Sequence, residues 1–186
     1  MLHNLILKNR SARKYYQDVA VSRETLTELV DLARLSASGG NRQLLKYYIS
    51  CEPEKNAIIY SHIGLGGNPP EGERPSAYII ILNDNGLGEY RTGEVDHGIA
   101  AQSILLGATE RGLGGCIIGM VHRKELRKAL NIPERYDVLL VLTLGKPKGT
   151  AVIEDLAAHP DNQRGWWDEQ GRWHIPKRKL TDIIIG

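Results

Sequence analysis

Ala77-Tyr78-Ile79-Ile80-Ile81-Leu82 is a continuous apolar run near the middle of the chain. Because polar residues do not alternate with apolar ones, the run is typical of a strand that is buried on both faces. It follows residues 65–75, which are rich in glycine and proline and therefore predict a loop. We expect the centre of the fold to be a sheet that contains this strand.

Further strands and helices are predicted on both sides of the run. Residues 45–51 read as a strand with Tyr47, Ile49 and Cys51 on one face. The remaining strands are predicted at Cys116–Met120 and Val138–Leu144, and the helices at about 2–9, from Ser22 to Gly39-Gly40, around Glu54–His62, at about Glu94–Arg111 and at Arg123–Leu130. The pattern indicates a single α+β domain over residues 1–186, with four or five strands wrapped by helices.

The predicted helix over residues 94–111 is the most apolar one, with hydrophobic residues around most of its circumference. Such a helix must be covered on nearly all sides. In a chain of 186 residues one of these covers is expected to be a second copy of the chain.

From Lys146 onward the sequence loses its periodicity. We interpret residues 146–186 as a C-terminal arm that ends in the apolar run Ile183–Ile185, and the partner subunit is one place where this run could dock. The arm carries all three tryptophans, Trp166, Trp167 and Trp173. We favour a packing role for these tryptophans, in which they attach the arm to the body of the protein, over stacking on a substrate.

Composition restricts the classes of function. A net charge of +2, with cations interspersed among anions, argues against a nucleic-acid or membrane surface. Cys51 and Cys116 form neither a Cys-x-x-Cys pair nor a zinc motif, and the six histidines are scattered. The Leu5–Leu7 run is too short for a signal peptide. These features favour small-molecule chemistry in a reducing cytoplasm, without a metal.

Two segments carry candidate binding groups. In Arg10-Ser11-Ala12-Arg13, two guanidinium groups three residues apart suit a phosphate, although cations after a helix C-terminus are also favoured by the helix dipole. The turn Ser38–Gln43 carries amide side chains that suit hydroxyls and ring carbonyls, although a helix that ends in Gly-Gly is also an ordinary cap. Together they indicate a phosphorylated, polyhydroxylated heteroaromatic ligand. Gly112–Gly115 follows a helix, which disfavours a Rossmann site.

The order and spacing of several short motifs resemble the nitroreductase family over nearly the whole chain. These motifs are Arg-Ser-x-Arg at 10–13, Ser-x-x-Asn-x-Gln at 38–43, Gly-Leu-Gly at 112–114, Ile118-Gly119, Ile-Pro-Glu at 132–134, Leu-Gly-Lys-Pro at 144–147 and Lys177-Arg178. The resemblance implies an α+β fold with a central, mostly antiparallel sheet flanked by helices. It also implies an intertwined homodimer that binds FMN at the subunit interface.

The resemblance also implies roles for individual residues. The FMN phosphate would be contacted by Arg10, Ser11, Lys177 and Arg178, and Arg13 would contact the phosphate or the ring edge. Asn41, together with Gln43, would contact the ribityl chain or the ring. Gly119, which follows Ile118 in the same strand, would donate its backbone N–H to flavin N5. Ala37, Leu44 and Lys179 stand where the family usually has prolines. The run from Lys177 to Lys179 also fits a solvated surface patch.

The implied activity is an NAD(P)H-dependent flavin oxidoreductase that reduces a nitroaromatic, a quinone or a similar acceptor by ping-pong hydride transfer through N5. No side chain is assigned as catalytic, because the chemistry takes place on the cofactor. The loops 65–75 and 84–92, with Tyr90 or Arg91, are the candidates for substrate contact. The alternatives are an FMN-binding regulatory or storage protein, and a dimeric interaction protein that has lost the cofactor site.

Overall fold

The computed structural model describes residues 2–88 and 95–186, so Tyr90 and Arg91 lie outside the described residues. The chain forms two compact units, Met1–Pro147 and Lys148–Gly186. The helices are α1 (Leu2–Lys8), α2 (Arg23–Leu35), α3 (Pro53–Ser61), α4 (Asp96–Glu110) and α5 (Arg123–Ala129), and the strands are β1 (Tyr15–Tyr16), β2 (Leu45–Ser50), β3 (Ala77–Asp84), β4 (Gly114–Ile118), β5 (Tyr136–Pro147), β6 (Ala151–Asp155), β7 (Trp166–Trp167) and β8 (Trp173–Lys177).

The N-terminal unit is built on a five-stranded antiparallel sheet. The long strand β5 pairs with β1, β3 and β4, and β2 extends the sheet from β3. The expected α+β class with a mostly antiparallel sheet is therefore confirmed.

Strand β3 lies at the centre of the core, and all eight of its residues are buried. Ile79 and Ile81 pack with apolar residues of α2 and α4 on one face of the sheet. Ile80 and Leu82 pack on the other face with residues of α3, α5 and β4. The prediction of a strand buried on both faces is confirmed, and the two helical layers explain why the run lacks polar alternation.

Helix α2 begins where the sequence predicts, because the Ser22 hydroxyl accepts a hydrogen bond from the Thr25 N–H at 3.1 Å. It ends at Leu35, earlier than the expected Gly39-Gly40. The Ser36 hydroxyl bonds the Leu32 carbonyl at 2.8 Å and the Ser103 hydroxyl of α4 at 2.7 Å. The Ser36 backbone is extended at this point, with its N–H donating to the Ala33 carbonyl, so the helix is capped before the glycines.

Strand β4 begins at Gly114, two residues before the prediction that started it at Cys116. Gly114 and Gly115 are buried and pair with Gly145 and Leu144 of β5. A Cβ atom at Gly115 would lie 2.5 Å from the Thr143 carbonyl oxygen. These glycines therefore serve close strand contact in addition to ending the preceding helix.

The C-terminal unit contains a three-stranded sheet where the sequence indicated an irregular arm. Strand β8 pairs in parallel with β6 and antiparallel with β7. These strands have two to five residues and mostly half-exposed side chains, so they leave little hydrophobic periodicity in the sequence. The tryptophans pack inside this unit: Trp167 lies against Trp173 at a ring distance of 5.0 Å.

Within residues 2–88 and 95–186, no helix has both the length and the apolar character needed to cross a membrane. The same residues contain no group of three or more His, Cys, Asp or Glu side chains placed to hold a metal ion.

Candidate functional site

The segment Arg10–Arg13 leaves α1 and lies along the start of β4. The Ala12 N–H donates to the Gly115 carbonyl at 2.9 Å, and Ser11 bridges to Gly115 in parallel orientation. A Cβ atom at Gly114 would lie 3.2 Å from the Ala12 Cβ, so glycine permits this close approach. The segment is therefore fixed to the sheet by its backbone.

Arg10 is part-buried, and its guanidinium donates to the Ile6 carbonyl of α1. Its Nε is buried and has no hydrogen-bond partner among the described residues. A buried donor on a charged group is costly unless an acceptor satisfies it. An anionic oxygen from a ligand would meet this need, so Arg10 fits a phosphate.

Arg13 lies beside the loop of residues 65–75. A Cβ atom built on Gly66 would come within 3.3 Å of the Arg13 Nε. The same loop is joined to the end of β4, because the Gly64 N–H donates to the Met120 carbonyl at 2.8 Å. The structure thus brings Arg13, the loop and the end of β4 to one region of the N-terminal unit.

A buried cluster of hydrogen-bonded side chains stabilises the segment Arg10–Arg13. The Tyr15 hydroxyl donates to the Ala12 carbonyl at 2.6 Å and shares a 2.8 Å hydrogen bond with the Thr143 hydroxyl. The Cys116 N–H donates to the same Thr143 hydroxyl at 3.1 Å. Burial raises the pKa of Tyr15 and of Cys116, and Arg13 opposes part of each rise. Both groups stay protonated, so they support the segment and are not nucleophiles.

Ile118 and Gly119 differ in their surroundings. Ile118 ends β4 with its side chain in the core, so only its backbone is available to a ligand. Gly119 is exposed, and no atom lies within 4 Å of the place where a Cβ would be. The Arg123 guanidinium of α5 donates to the Gly119 carbonyl at 3.0 Å and to the Val138 carbonyl at 3.1 Å. Arg123 therefore holds the strand end in place.

The turn Ser38–Gln43 is anchored to α4. The Gly39 N–H donates to a carboxylate oxygen of Asp96 at 2.9 Å, and Asp96 is buried at the start of that helix. Asn41 and Gln43 have φ values of 55° and 52°, and both side chains are exposed. The left-handed backbone and the anchored glycine present the two amides outward in a defined turn.

Asp96 also affects the adjacent strand. Burial raises the pKa of Tyr47 to about 12, and the nearby Asp96 carboxylate adds to this rise. The sequence reasoning missed the roles of Tyr15, Thr143, Arg123 and Asp96. The only signal for Asp96 was an acidic residue in the first turn of a very apolar helix, and each of the other three has at least one partner on another strand or loop, 15 or more residues away.

The predicted site residues lie in three places. Arg10, Ser11 and Arg13 lie along β4, whose far end carries Ile118 and Gly119. Asn41 and Gln43 lie in the turn anchored to α4. Lys177, at the end of β8, and Arg178 are exposed residues of the C-terminal unit.

Comparison with known proteins identifies the family of the chain. The model of the nitroreductase family matches residues 6–74 and 66–146. A provisionally named NADH dehydrogenase/NAD(P)H nitroreductase of Archaeoglobus fulgidus is 31% identical over 150 residues, which cover 77% of this chain and 84% of that protein.

Solved structures are also similar. An FMN-dependent nitroreductase of Clostridium difficile R20291 is 28% identical with a TM-score of 0.64, over 80% of this chain and 88% of that one. A nitroreductase family protein of Clostridium difficile 630 shares the fold at 21% identity and a TM-score of 0.70, over 97% of this chain and 95% of that one. The motifs, the sheet and the family model agree, and the chain belongs to the nitroreductase family.

Proposed function

We propose that this protein transfers electrons from NAD(P)H to a small acceptor, a nitroaromatic, a quinone or a similar compound, in a ping-pong reaction through FMN. As a member of the nitroreductase family, the chain is an NAD(P)H-dependent flavin oxidoreductase with FMN as its cofactor. The acceptor and the order of the steps are the proposed part.

The observation that carries the site assignment is the buried Nε of Arg10, which has no hydrogen-bond partner among the residues that the structure describes. A phosphate with close to two negative charges needs at least two cations or several N–H donors where it leaves water. Arg10 and Arg13 supply two guanidiniums on one short segment, and the exposed residue Ser11 adds a hydroxyl. We assign the phosphate to this segment, with Lys177 and Arg178 as further contacts.

The other proposed contacts orient the cofactor. The amides of Asn41 and Gln43 would bind the ribityl hydroxyls or the ring, because their turn holds them outward. The Gly119 N–H would donate to N5, with Arg123 fixing the adjacent carbonyl and Ile118 anchoring the strand in the core. Bound FMN would supply the hydride chemistry, so the chain's own residues bind the cofactor, orient it and exclude water from it.

A homodimer is part of this proposal. Helix α1 buries none of its residues, and Leu2, Ile6 and Leu7 remain exposed on it. On α4, Ile99 is 37% exposed. Covering this apolar surface with a second copy would bury it from water. Sedimentation equilibrium is expected to give twice the chain mass of 20.7 kDa, and a monomer at micromolar concentration would contradict the dimer.

The test of the function is the anaerobic visible spectrum of the purified protein before and after NADH and then NADPH. We expect flavin bands that bleach, and the faster nucleotide is then the donor for an acceptor screen. Steady-state rates are expected to give parallel double-reciprocal lines, and intersecting lines would contradict the ping-pong order. Persistent bands would favour the regulatory or storage role. Protein that stays colourless after FMN is added would favour the interaction protein.

A further inference from the structure

A cavity lies in the N-terminal unit, between α3 and the loop that leads into β3. Its volume is about 260 Å³, which is enough for a small organic molecule. None of the residues assigned to FMN lines it. Its polar lining includes Gln17, Asn56, Tyr60, Arg74, Ser76 and Tyr78.

Arg74 contributes a cation to this cavity. Its guanidinium carbon lies 4.5 Å from the centroid of the Tyr60 ring, in a cation–π arrangement. Its Nε is buried and has no hydrogen-bond partner among residues 2–88 and 95–186. A desolvated N–H on a charged group needs an acceptor, and the cavity is the adjoining space in which a ligand could provide one.

Ser76 contributes a second group without a partner. Only 9% of Ser76 is exposed, and its hydroxyl oxygen has no partner among the described residues. Asn56 is oriented beside it by two hydrogen bonds: its amide N–H donates to the Ser76 carbonyl at 2.8 Å, while its oxygen accepts from the Ser50 hydroxyl at 2.7 Å. Ser76 therefore lines the cavity with a hydroxyl that is not engaged by the described residues, next to an amide with a fixed orientation.

The groups around the cavity are held in place before any ligand binds. The Tyr60 hydroxyl donates to the Pro69 carbonyl at 2.9 Å, which fixes the ring beneath Arg74. The Gln17 side-chain oxygen accepts from the N–H groups of Gly72 at 2.8 Å and Arg74 at 3.2 Å. A preorganised cation loses little further freedom on binding, which favours affinity for a small ligand.

The remaining lining determines the kind of ligand. Ala20, Pro53, Ala57 and Pro75 give the cavity an apolar part, and burial raises the pKa of Tyr78, which therefore remains a neutral phenol. Glu71 also lines the cavity, and its carboxylate would repel a second negative charge. We propose that this cavity is a second ligand site, which binds a small monocarboxylate with a compact apolar or aromatic body. Its carboxylate accepts from Arg74 and Ser76, and its body lies against the apolar lining.

Benzoate is a suitable probe, and benzamide is its neutral control of similar shape. The FMN-loaded full chain is titrated with each compound, and binding is followed by backbone amide NMR shifts. We expect saturable benzoate binding with the largest shifts at Asn56, Ser76 and Tyr78, and binding of benzamide that is about tenfold weaker or more. No saturable binding, or shifts that cluster elsewhere, would overturn the proposal and leave a water-filled cavity.

Two substitutions and a control test the residues themselves. Arg74→Gln is expected to weaken benzoate binding about tenfold or more, since it removes the charge-assisted hydrogen bond. Ser76→Ala removes only the hydroxyl and is expected to cause a smaller loss, so it tests the site even where Arg74→Gln fails to fold. Arg34→Gln makes the same chemical change on the exposed face of α2 and is expected to leave binding unchanged. Equal affinity in the wild type, Arg74→Gln and Ser76→Ala would overturn the assignment.

This site and the flavin site are distinguished by the flavin spectrum. Benzoate in the cavity is expected to leave the visible flavin bands unchanged and to bind in the presence of NAD(P)H. Benzoate that perturbs the bands, competes with the nucleotide and is insensitive to Arg74→Gln would bind over the flavin, which contradicts the second site. Protein that takes up no FMN would overturn the proposed function while the NMR titration still tests the cavity.

Discussion

The two units of the chain are stabilised in different ways. The N-terminal unit buries aliphatic and aromatic side chains on both faces of its sheet, with Ile79, Ile80 and Ile104 wholly excluded from solvent. Within residues 148–186, all of which the structure describes, Pro176 alone is classed as buried. The C-terminal unit depends instead on a histidine held between two carboxylates. One chain therefore contains a unit ordered by apolar burial and a unit ordered by charge.

The charged cluster joins the three strands of the C-terminal sheet. His174 of β8 contacts a Glu154 oxygen of β6 through Nδ1 at 2.6 Å and an Asp168 oxygen after β7 through Nε2 at 3.0 Å. Arg172 donates to Asp168 at 2.6 Å, and Trp166 stacks on the His174 ring at a centroid distance of 4.9 Å. Because apolar burial does not titrate and this cluster does, the two units are expected to respond differently to substitution and to pH.

The largest effect is expected in the apolar core. Ile79→Ala removes three carbons from a site with no solvent exposure and should lower the free energy of unfolding by about 2–5 kcal/mol. Ile153→Ala is the control in β6, where the side chain is 38% exposed, and it should cost less than about 1 kcal/mol. Urea denaturation followed by far-ultraviolet circular dichroism measures both. Equal losses in the two variants would contradict the contrast between the units.

The next largest effect is expected on FMN affinity, which tests whether the phosphate contacts come mainly from the N-terminal unit. Arg10→Ala should weaken FMN binding by about 10- to 100-fold, because a charged hydrogen bond contributes about 1.5–3 kcal/mol. Lys177→Ala and Arg178→Ala make matching changes on exposed residues of the C-terminal unit and should each have a smaller effect. Fluorescence titration of the apoprotein with FMN measures the three affinities. Unchanged affinity in Arg10→Ala, with the dimer intact, would remove Arg10 from the site.

A smaller effect is expected at the support beneath that segment. Tyr15→Phe removes a buried hydroxyl that bonds Ala12 and Thr143, and it should cost about 1–2 kcal/mol of unfolding free energy. A double-mutant cycle with Thr143→Val isolates the coupling between the two hydroxyls. Additive losses in urea denaturation would show that the 2.8 Å contact does not stabilise the fold.

These predictions also show which features the sequence could reveal. The buried strand from Ala77 was predictable because an uninterrupted apolar run has few other structural solutions. The Ser22 cap was equally local, since a capping hydroxyl acts on the next few residues. The end of α2 was not predictable from local signals, because the helix stops before the glycines at Ser36, whose hydroxyl bonds Ser103, 67 residues away in the chain.

The candidate site also contains residues that the sequence could reveal and residues that it could not. Arg10 and Arg13 carried a readable signal, because paired guanidiniums suit one class of ligand. Asp96 carried only the weak signal of an acidic residue in the first turn of an apolar helix, since only the folded chain brings its carboxylate to the Gly39 N–H. The C-terminal sheet was missed for a related reason: Glu154, Asp168 and His174 follow no helical or strand period in the sequence and form one cluster only after their strands pair.

The pH response of the C-terminal unit is expected to have the smallest effect on the whole molecule. It is also the sharpest test of the difference between the two units. The two carboxylates raise the pKa of His174, led by Asp168, so this stabilisation is complete below the unfolded value of about 6.5 and is lost as pH rises through the folded value. His174 holds the pKa of Asp168 well below its usual range, so that part is present above about 3.9 and lost as pH falls through the depressed value. The unit should be most stable between about pH 4 and 6.5.

Tryptophan fluorescence reports this unit selectively, because all three tryptophans lie in it. We expect the emission of the wild type to change as pH rises above that window, while far-ultraviolet circular dichroism, dominated by the N-terminal unit, stays constant. His174→Gln should abolish the fluorescence change, because glutamine does not titrate between two carboxylates. His122→Gln, an exposed change in the N-terminal unit, should preserve it. A fluorescence change that survives unaltered in His174→Gln would show that the cluster around His174 does not cause the pH response, and this prediction would fail.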